Sequence, residues 1–263
     1  MKEYKTIEIV TENNVKTVWL NRPEIHNAFN EEMIGELKEF FEESVNDSDT
    51  RLIMLRGRGK SFCAGADINW MKSVVDYSFE KNYQEGLQLS KCLHAIYSCP
   101  IPTIAVVYGA AIGGANGLLA ACDFAYATDE TTFALSEVKI GIVPACISPY
   151  ILKRVGEYKA REIMLTGKRF KGKEAEKYNL INGSFSESEL ETEIENVINL
   201  IFTSGPKAVR KCKELINHVS NDIDLNEAIE YTAKVIAEVR KSDEGQEGMN
   251  AFLQKRKPNW INE

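Results

Sequence analysis

The chain has 263 residues, of which 44% are hydrophobic and 27% are charged. This balance predicts a globular protein with one large domain, or one domain and a small appendage. The net charge of −7 argues against a nucleic-acid partner, because binding to phosphate backbones needs a basic surface. No apolar run reaches the roughly 18 residues that span a bilayer, and the N-terminal MKEYKTIEIV lacks the apolar core of a signal peptide. We therefore expect a cytoplasmic protein with no membrane partner.

The cysteines and histidines indicate neither a disulfide framework nor a metal centre. The six cysteines are scattered and form no C-x-x-C pair, which is typical of reduced thiols. The three histidines lie far apart in the sequence, so no spacing suits a metal. The prediction is a protein without a bound metal ion.

The N-terminal part predicts a hairpin and then a helix. Thr6–Val10 and Val15–Leu20 have the composition of strands, and the turn TENN joins them. Asn30 is a suitable N-cap for the helix that follows. A short apolar strand is predicted at Leu52–Leu55. The apolar positions of the helix recur at helical spacing: Met33, Leu37, Phe40 or Phe41, and Val45.

A small-residue loop, FCAGADI, follows the basic, glycine-rich segment RGRGKS. Ala64, Gly65 and Ala66 are small enough to present bare backbone to a ligand. A tight loop before an Asp-capped helix is the alternative interpretation, and such loops are common. A longer helix is predicted over Phe79–Tyr97.

The stretch from Cys99 to Pro149 holds the most informative motif. A buried strand is predicted at Thr103–Val107, followed by the glycine turn GAAIGGANG and a small-residue helix to Cys122. The glycine spacing is neither G-x-G-x-x-G nor a P-loop, which disfavours a dinucleotide site. Two interpretations remain open: the glycines allow close helix packing, or the turn offers N–H groups to an anionic oxygen.

A lone carboxylate, Glu137, stands in the mostly apolar run FALSEVKIGIVP. A carboxylate in apolar surroundings is a candidate general acid or base. The alternative is a surface side chain paired with Lys139 or another cation.

The character of the chain changes near residue 186. Strands are predicted at Asp123–Ala127 and Thr132–Leu135, and short helices at Ser148–Val155, Lys159–Leu165 and Gly172–Tyr178. We therefore expect an α/β core over residues 1–185 and a helical region over 186–263. The predicted helices of that second region are Glu187–Phe202, Pro206–Val219, Asn226–Val239 and Ser242–Lys255.

Several segments, taken in order, resemble the enoyl-CoA hydratase/isomerase (crotonase) superfamily. They include NRPEIHNAFN, LRGRGKSFCAGADI, PIPTIAVVYGAAIGG, GLLAACDFAYA and LTGKRFKGKEAEKYNLIN. The run ALSEVKIGIVPACISP and the tail FLQKRKPNW are most similar to the bacterial methylglutaconyl-CoA hydratase branch. The resemblance implies an α/β spiral of ββα turns with a C-terminal helical region that makes homotrimers, often paired into hexamers.

The resemblance also implies an acyl-CoA thioester substrate, with coenzyme A as part of that substrate and no tightly bound cofactor. Two backbone N–H groups, at Ala66 and Gly114, would hold the thioester oxygen, and Glu137 would be the general acid/base. The residues implied in coenzyme A binding are His26, Lys60 and Ala64, with Lys255 or Arg256 of the tail serving a neighbouring subunit.

One position departs from the pattern of two-carboxylate hydratases. Those enzymes carry a first Glu in the helix after the glycine turn, where this chain has Gly117. The overall resemblance favours a hydratase for a short branched or carboxylated 2-enoyl-CoA. The single remaining carboxylate favours a Δ3,Δ2-enoyl-CoA isomerase, and an acyl-CoA decarboxylase or a non-catalytic acyl-CoA-binding protein are further alternatives.

Overall fold

The computed structural model describes residues 3–261, which contain nine strands and ten α-helices. Six strands form one sheet in the order β1-β2-β3-β4-β6-β9, and three form a second sheet in the order β5-β7-β8. The strands are β1 (Ile7–Glu12), β2 (Val15–Leu20), β3 (Leu52–Gly57), β4 (Thr103–Val107), β5 (Ala110–Ile112), β6 (Phe124–Thr128), β7 (Thr132–Ala134), β8 (Arg169–Lys171) and β9 (Gly183–Phe185).

The large sheet begins with an antiparallel hairpin and continues in parallel. Asn13 and Asn14 have φ values of 48° and 62°, the left-handed pair that a two-residue hairpin turn needs. From β2 to β9 all neighbouring strands of this sheet are parallel. Every residue of β4 is buried, because a central parallel strand is covered on both faces.

The chain passes repeatedly from the large sheet to the small one. β4 in the large sheet is followed by β5 in the small sheet, and β6 is followed in the same way by β7. A helix closes each such turn. This recurrence is the α/β spiral that the sequence predicts.

Helices complete the spiral and form the C-terminal part. Asn30 caps the first helix by accepting a hydrogen bond from the Met33 amide at 3.0 Å, as predicted. Val45 lies beyond the end of that helix and is half exposed, so its predicted place on the apolar stripe is wrong. The helices are α1 (Glu31–Glu43), α2 (Ile68–Val75), α3 (Phe79–Ser98), α4 (Ala115–Ala121), α5 (Ser148–Thr166), α6 (Gly172–Lys177), α7 (Glu187–Phe202), α8 (Pro206–Asn221), α9 (Leu225–Lys241) and α10 (Asp243–Leu253).

The helix α5 covers the two helices predicted at Ser148–Val155 and Lys159–Leu165. Its Gly156 has φ 69° and ψ 165°, which is not helical, so the segment bends there. Position 156 thus separates two helical segments, and only glycine adopts such a conformation without strain.

The chain divides into two compact units. The first holds the residues up to Cys99 together with Thr103–Thr192, and the second holds Pro100–Pro102 and the residues from Glu193 onward. Within the second unit, the Glu244 carboxylate accepts hydrogen bonds from the amides of Lys207 and Ala208 at the start of α8. Within residues 3–261, no helix is both long and apolar enough to cross a membrane.

Candidate active site

The loop before α2 presents the Ala66 backbone amide without a protein acceptor in the described part of the chain. Phe29 pairs with Ala66 through two hydrogen bonds, from the Phe29 amide to the Gly65 carbonyl and from the Asp67 amide to the Phe29 carbonyl, both 2.9 Å. Because this parallel bridge uses the groups on either side of Ala66, the Ala66 N–H points away from Phe29. Within residues 3–261 it donates to no protein group.

The glycine turn presents a second such amide. The Gly113 amide donates to the Ala134 carbonyl at 2.7 Å, whereas the next amide, that of Gly114, has no acceptor in the described part of the chain. Gly113 has φ 55°, a left-handed conformation that suits glycine. The turn therefore leaves the Gly114 N–H group, at the start of α4, without an acceptor among the described residues.

Hydrogen bonds hold the two amide-bearing segments side by side. Cys63 bridges to β5 through its amide, 3.0 Å from the Ala110 carbonyl, and its carbonyl, 3.2 Å from the Ile112 amide. Gly65 has φ 97°, and a Cβ atom there would lie 2.8 Å from the Ile112 carbonyl oxygen. Only glycine at position 65 permits this approach.

Phe29 contacts both segments. Besides its bridge to Ala66, its ring packs against Gly114, where an added Cβ would lie 2.5 Å from the ring atom Cζ. The Phe29 ring also meets Trp70 edge to face, with centroids 5.9 Å apart. The Trp70 indole N–H in turn donates to the Glu85 carboxylate at 3.1 Å. Phe29, supported by Trp70, therefore packs against both the loop and the turn.

Glu137 places a carboxylate beside the same turn. It follows β7 at the start of a short 3-10 turn, and its Oε1 packs against Gly113, where an added Cβ would lie 3.2 Å away. Its Oε2 is buried and has no hydrogen-bond partner within residues 3–261. Burial raises the pKa of this carboxyl above its ordinary value. A carboxyl group in this environment can accept and return a proton.

The alternative of a salt-bridged surface Glu is not what the fold shows. Glu137 is only partly exposed, and Lys139 is exposed and packs against Gly167. Across the described residues, no cation lies within ion-pair distance of the Glu137 carboxylate.

Gly117, on α4, has no room for a side chain. A Cβ atom there would overlap the Ile147 methyl Cγ2, and would lie 2.9 Å from Ile147 Cβ and 3.2 Å from Leu93 Cδ1. Ile147 is itself buried. The space around position 117, where the resemblance puts the first Glu of two-carboxylate hydratases, is therefore filled by apolar groups.

The three candidate coenzyme A contacts of the core lie in adjoining loops. The Ala64 amide donates to the His26 carbonyl at 2.9 Å, and His26 Nδ1 lies 3.2 Å from the Ser61 hydroxyl. Lys60, next to Ser61, is exposed. The fold brings these residues near each other, and their binding role stays a prediction.

The two tail candidates belong to the second compact unit. Lys255 is exposed and has φ 55°. Arg256 donates to both oxygens of the Glu247 carboxylate, at 2.6 and 2.7 Å. Arg256 is therefore already paired with an anion, and the binding role of both tail residues stays a prediction.

Sequence patterns did not reveal three residues that shape this site: Phe29, Asn116 and Ile147. Each acts through a neighbour that is distant along the chain, and no local periodicity reports such a contact. Within residues 3–261, no group of three His, Cys, Asp or Glu side chains is placed to hold a metal ion.

The spiral places the Ala66 and Gly114 amides and the Glu137 carboxyl on neighbouring segments. Backbone donors next to a carboxyl group are an arrangement suited to an enzyme that acts on carbonyl compounds. The model of the enoyl-CoA hydratase/isomerase family matches residues 10–263. The chain therefore belongs to the enoyl-CoA hydratase/isomerase family, and the predicted superfamily is confirmed.

Similar proteins carry both activity names. The chain is 31% identical to the short-chain-enoyl-CoA hydratase of Clostridium acetobutylicum, with 97% of each chain covered. It is also 31% identical to the peroxisomal Delta(3,5)-Delta(2,4)-dienoyl-CoA isomerase of Arabidopsis thaliana, with 98% of each covered. The chain is also 34% identical in sequence to an enoyl-CoA hydratase from Shewanella pealeana. The crystal structure of that protein superposes on this chain with a TM-score of 0.93, covering 98% of this chain and 97% of that one.

Proposed function

We propose that this enzyme is an enoyl-CoA hydratase, a carbon–oxygen lyase that adds water across a 2-enoyl-CoA thioester. The observation that carries the proposal is the Glu137 carboxyl, whose buried Oε2 atom has no hydrogen-bond partner within residues 3–261. It lies beside a turn whose Gly114 amide has no acceptor in the same part of the chain. The favoured acyl group is short and branched or carboxylated, such as 3-methylglutaconyl. This choice rests on the motif ALSEVKIGIVPACISP and the tail FLQKRKPNW.

In this proposal the amides of Ala66 and Gly114 bind the thioester oxygen. Addition of hydroxide at C3 moves negative charge onto that oxygen, and fixed N–H donors stabilise the charge where it develops. Glu137 takes a proton from water and returns one to C2. His26, Lys60 and Ala64 would contact the coenzyme A adenine and phosphates, with Lys255 reaching a neighbouring subunit.

The test of Glu137 is Glu137→Gln, which keeps the shape of the side chain and removes its proton chemistry. We expect kcat for hydration to fall by about 10²–10⁴, the usual contribution of a general acid/base, while acyl-CoA binding persists. Glu130→Gln is the matched control, because Glu130 is 91% exposed and its removal takes away the same charge. Near wild-type turnover of Glu137→Gln would exclude the assignment.

An isomerase is the second candidate, and the packing at Gly117 favours it. Ile147 and Leu93 fill the space around position 117. Of positions 117 and 137, therefore, only position 137 supplies a carboxylate to the site. One carboxylate is enough to shuttle a proton between C2 and C4 of an enoyl thioester, a reaction that needs no activated water.

One assay separates these reactions. Hydration of crotonyl-CoA or 3-methylglutaconyl-CoA removes the absorbance of the conjugated enoyl thioester, whereas an isomerase converts a 3-enoyl-CoA without adding water. Release of CO₂ from a glutaconyl-type or malonyl-type thioester would indicate a decarboxylase instead. Tight acyl-CoA binding without turnover on any of these substrates would contradict an enzymatic role.

A further inference from the structure

Asn116 is a polar residue at the centre of the spiral that the proposed chemistry does not use. It is completely buried. Its side-chain Nδ2 lies within hydrogen-bonding distance of three backbone carbonyls, those of Ala111 at 3.1 Å, Gly113 at 2.9 Å and Ala134 at 2.9 Å. The two N–H donors of this NH2 group are therefore shared among three acceptors.

These carbonyls belong to the two segments that carry the proposed chemistry. Ala111 and Gly113 lie on β5 and on the turn that leads to the Gly114 amide, and Ala134 ends β7, shortly before Glu137. The Ala134 carbonyl also accepts the Gly113 amide at 2.7 Å. Asn116 thus links the amide-bearing turn to the strand that delivers the carboxylate.

The residue type fits this role closely. An Asp of the same shape would direct acceptor oxygens at carbonyl oxygens, and a Leu would offer no donor. The Asn116 Oδ1 atom is buried and lacks a hydrogen-bond partner within residues 3–261. A buried unpaired oxygen destabilises a fold, whereas the Nδ2 group of the same side chain lies within hydrogen-bonding distance of three carbonyls.

We propose that Asn116 is a positioning residue, whose side-chain amide fixes the Gly114 N–H and the Glu137 carboxylate relative to each other. This inference rests on the proposed function, because it assigns a purpose to the alignment of those two groups. Small displacements of an aligned donor lower the stabilisation of a developing charge steeply.

The probe is acetoacetyl-CoA, a β-keto thioester that loses a proton from C2 to give an enolate with near-ultraviolet absorbance. Titration of that absorbance on the protein measures how strongly the site stabilises the enolate relative to the keto form. We expect Asn116→Leu to raise the apparent pKa of the bound probe by about one unit, a tenfold loss, while the keto form binds with nearly unchanged affinity.

Thr131→Val is the matched control. Thr131 is fully buried and its hydroxyl donates to the Val107 carbonyl at 3.2 Å, so this variant also removes a buried side-chain donor to backbone. Within residues 3–261 the Thr131 hydroxyl makes no hydrogen bond to the glycine turn, and we expect the pKa of the bound probe to stay at the wild-type value. Asn116→Ser keeps one hydroxyl donor and should give an intermediate value.

The outcomes distinguish this inference from the proposed function. If the wild-type protein binds acetoacetyl-CoA without lowering the pKa of its C2 proton, the proposed oxyanion site fails. If the wild type lowers that pKa and Asn116→Leu lowers it equally, the positioning role is overturned. If Asn116→Leu and Asn116→Ser both fail to fold while Thr131→Val folds, Asn116 is a general structural residue and the inference is overturned as well.

Discussion

At the scale of single residues, surroundings decide what a carboxyl group can do. Hydrogen bonds from Lys168 and Tyr178 lower the pKa of the Glu162 carboxyl to about 2, which keeps that group ionised. Glu137 has neither partner, and burial raises its pKa. Two residues of one type thus differ in the direction of their pKa shifts, and the raised pKa of Glu137 suits a group that exchanges a proton.

The pH dependence of kcat should report this environment. The proposed base must be ionised, and the pKa of Glu137 is raised from its ordinary value of 4.5. We expect kcat to fall as the pH is lowered through an apparent pKa above 4.5, and Glu137→Gln to lose that acid limb along with most of its activity. An acid limb of the kcat profile whose apparent pKa is at or below 4.5, the ordinary value, would contradict the assignment.

The raised pKa of Glu137 should also make the stability of the protein depend on pH, in a direction that the shift determines. Because the folded state favours the protonated Glu137, its contribution to stability is present below the ordinary pKa and is lost as pH rises through the raised pKa. Glu137→Gln stays neutral at every pH. The unfolding temperature of Glu137→Gln minus that of the wild type should therefore be larger at pH 8 than at pH 4.

At the scale of elements, long periodic segments could be predicted and short ones could not. Glu187–Phe202 was predicted with both of its ends correct, because sixteen residues carry a full apolar stripe. The strands β5, β8 and β9 were missed. Each has three residues, too few for a periodic pattern, and each is defined by the strand it pairs with.

The candidate site divides in the same way. Ala66, Gly114 and Glu137 stand in motifs with an ordered family resemblance, so the sequence predicts them as site residues. Phe29 and Ile147 act by packing against glycines that are remote along the chain. Phe29 and Ile147 contribute close packing between distant segments, and such packing is fixed only when the chain folds.

Gly117 provides a test of this packing at the level of the helix α4. Gly117→Ala should gain about 1 kcal/mol from helix propensity and lose about 1–3 kcal/mol from overpacking against Ile147. We expect a net loss of stability, seen as a lower unfolding temperature at fixed protein concentration. The nearest atoms, at Ile147 Cγ2 and Cβ, belong to a buried branched side chain that cannot swing aside.

Gly35→Ala is the control for that substitution. Gly35 lies in α1, and a Cβ atom there would meet nothing within 4 Å. The same change of residue should therefore stabilise the protein by about 0.5–1 kcal/mol. Equal effects of the two substitutions would show that position 117 has space for a side chain, and would remove the packing argument for an isomerase.

At the scale of the whole molecule, the second compact unit exposes apolar side chains in a regular pattern. Leu225, Ile229 and Ile236 follow one another on α9 at positions i, i+4 and i+11, and all three are exposed, Leu225 by 84%. Phe252 and Leu253 of α10 are exposed as well. Contiguous apolar surface of this kind marks an interaction site.

We propose that subunits of a homotrimer, or of a hexamer made from two trimers, cover the α9 stripe. Light scattering should then give the mass of three or six copies of the chain, and Ile229→Lys should shift it towards one copy, because an unpaired charge would be buried in the interface. Glu238→Lys is the control, since Glu238 lies on the opposite side of α9 and is also exposed. A wild-type monomer at the same concentration would contradict the assembly, and would mean that any tail cation contributing to a site does so within its own chain.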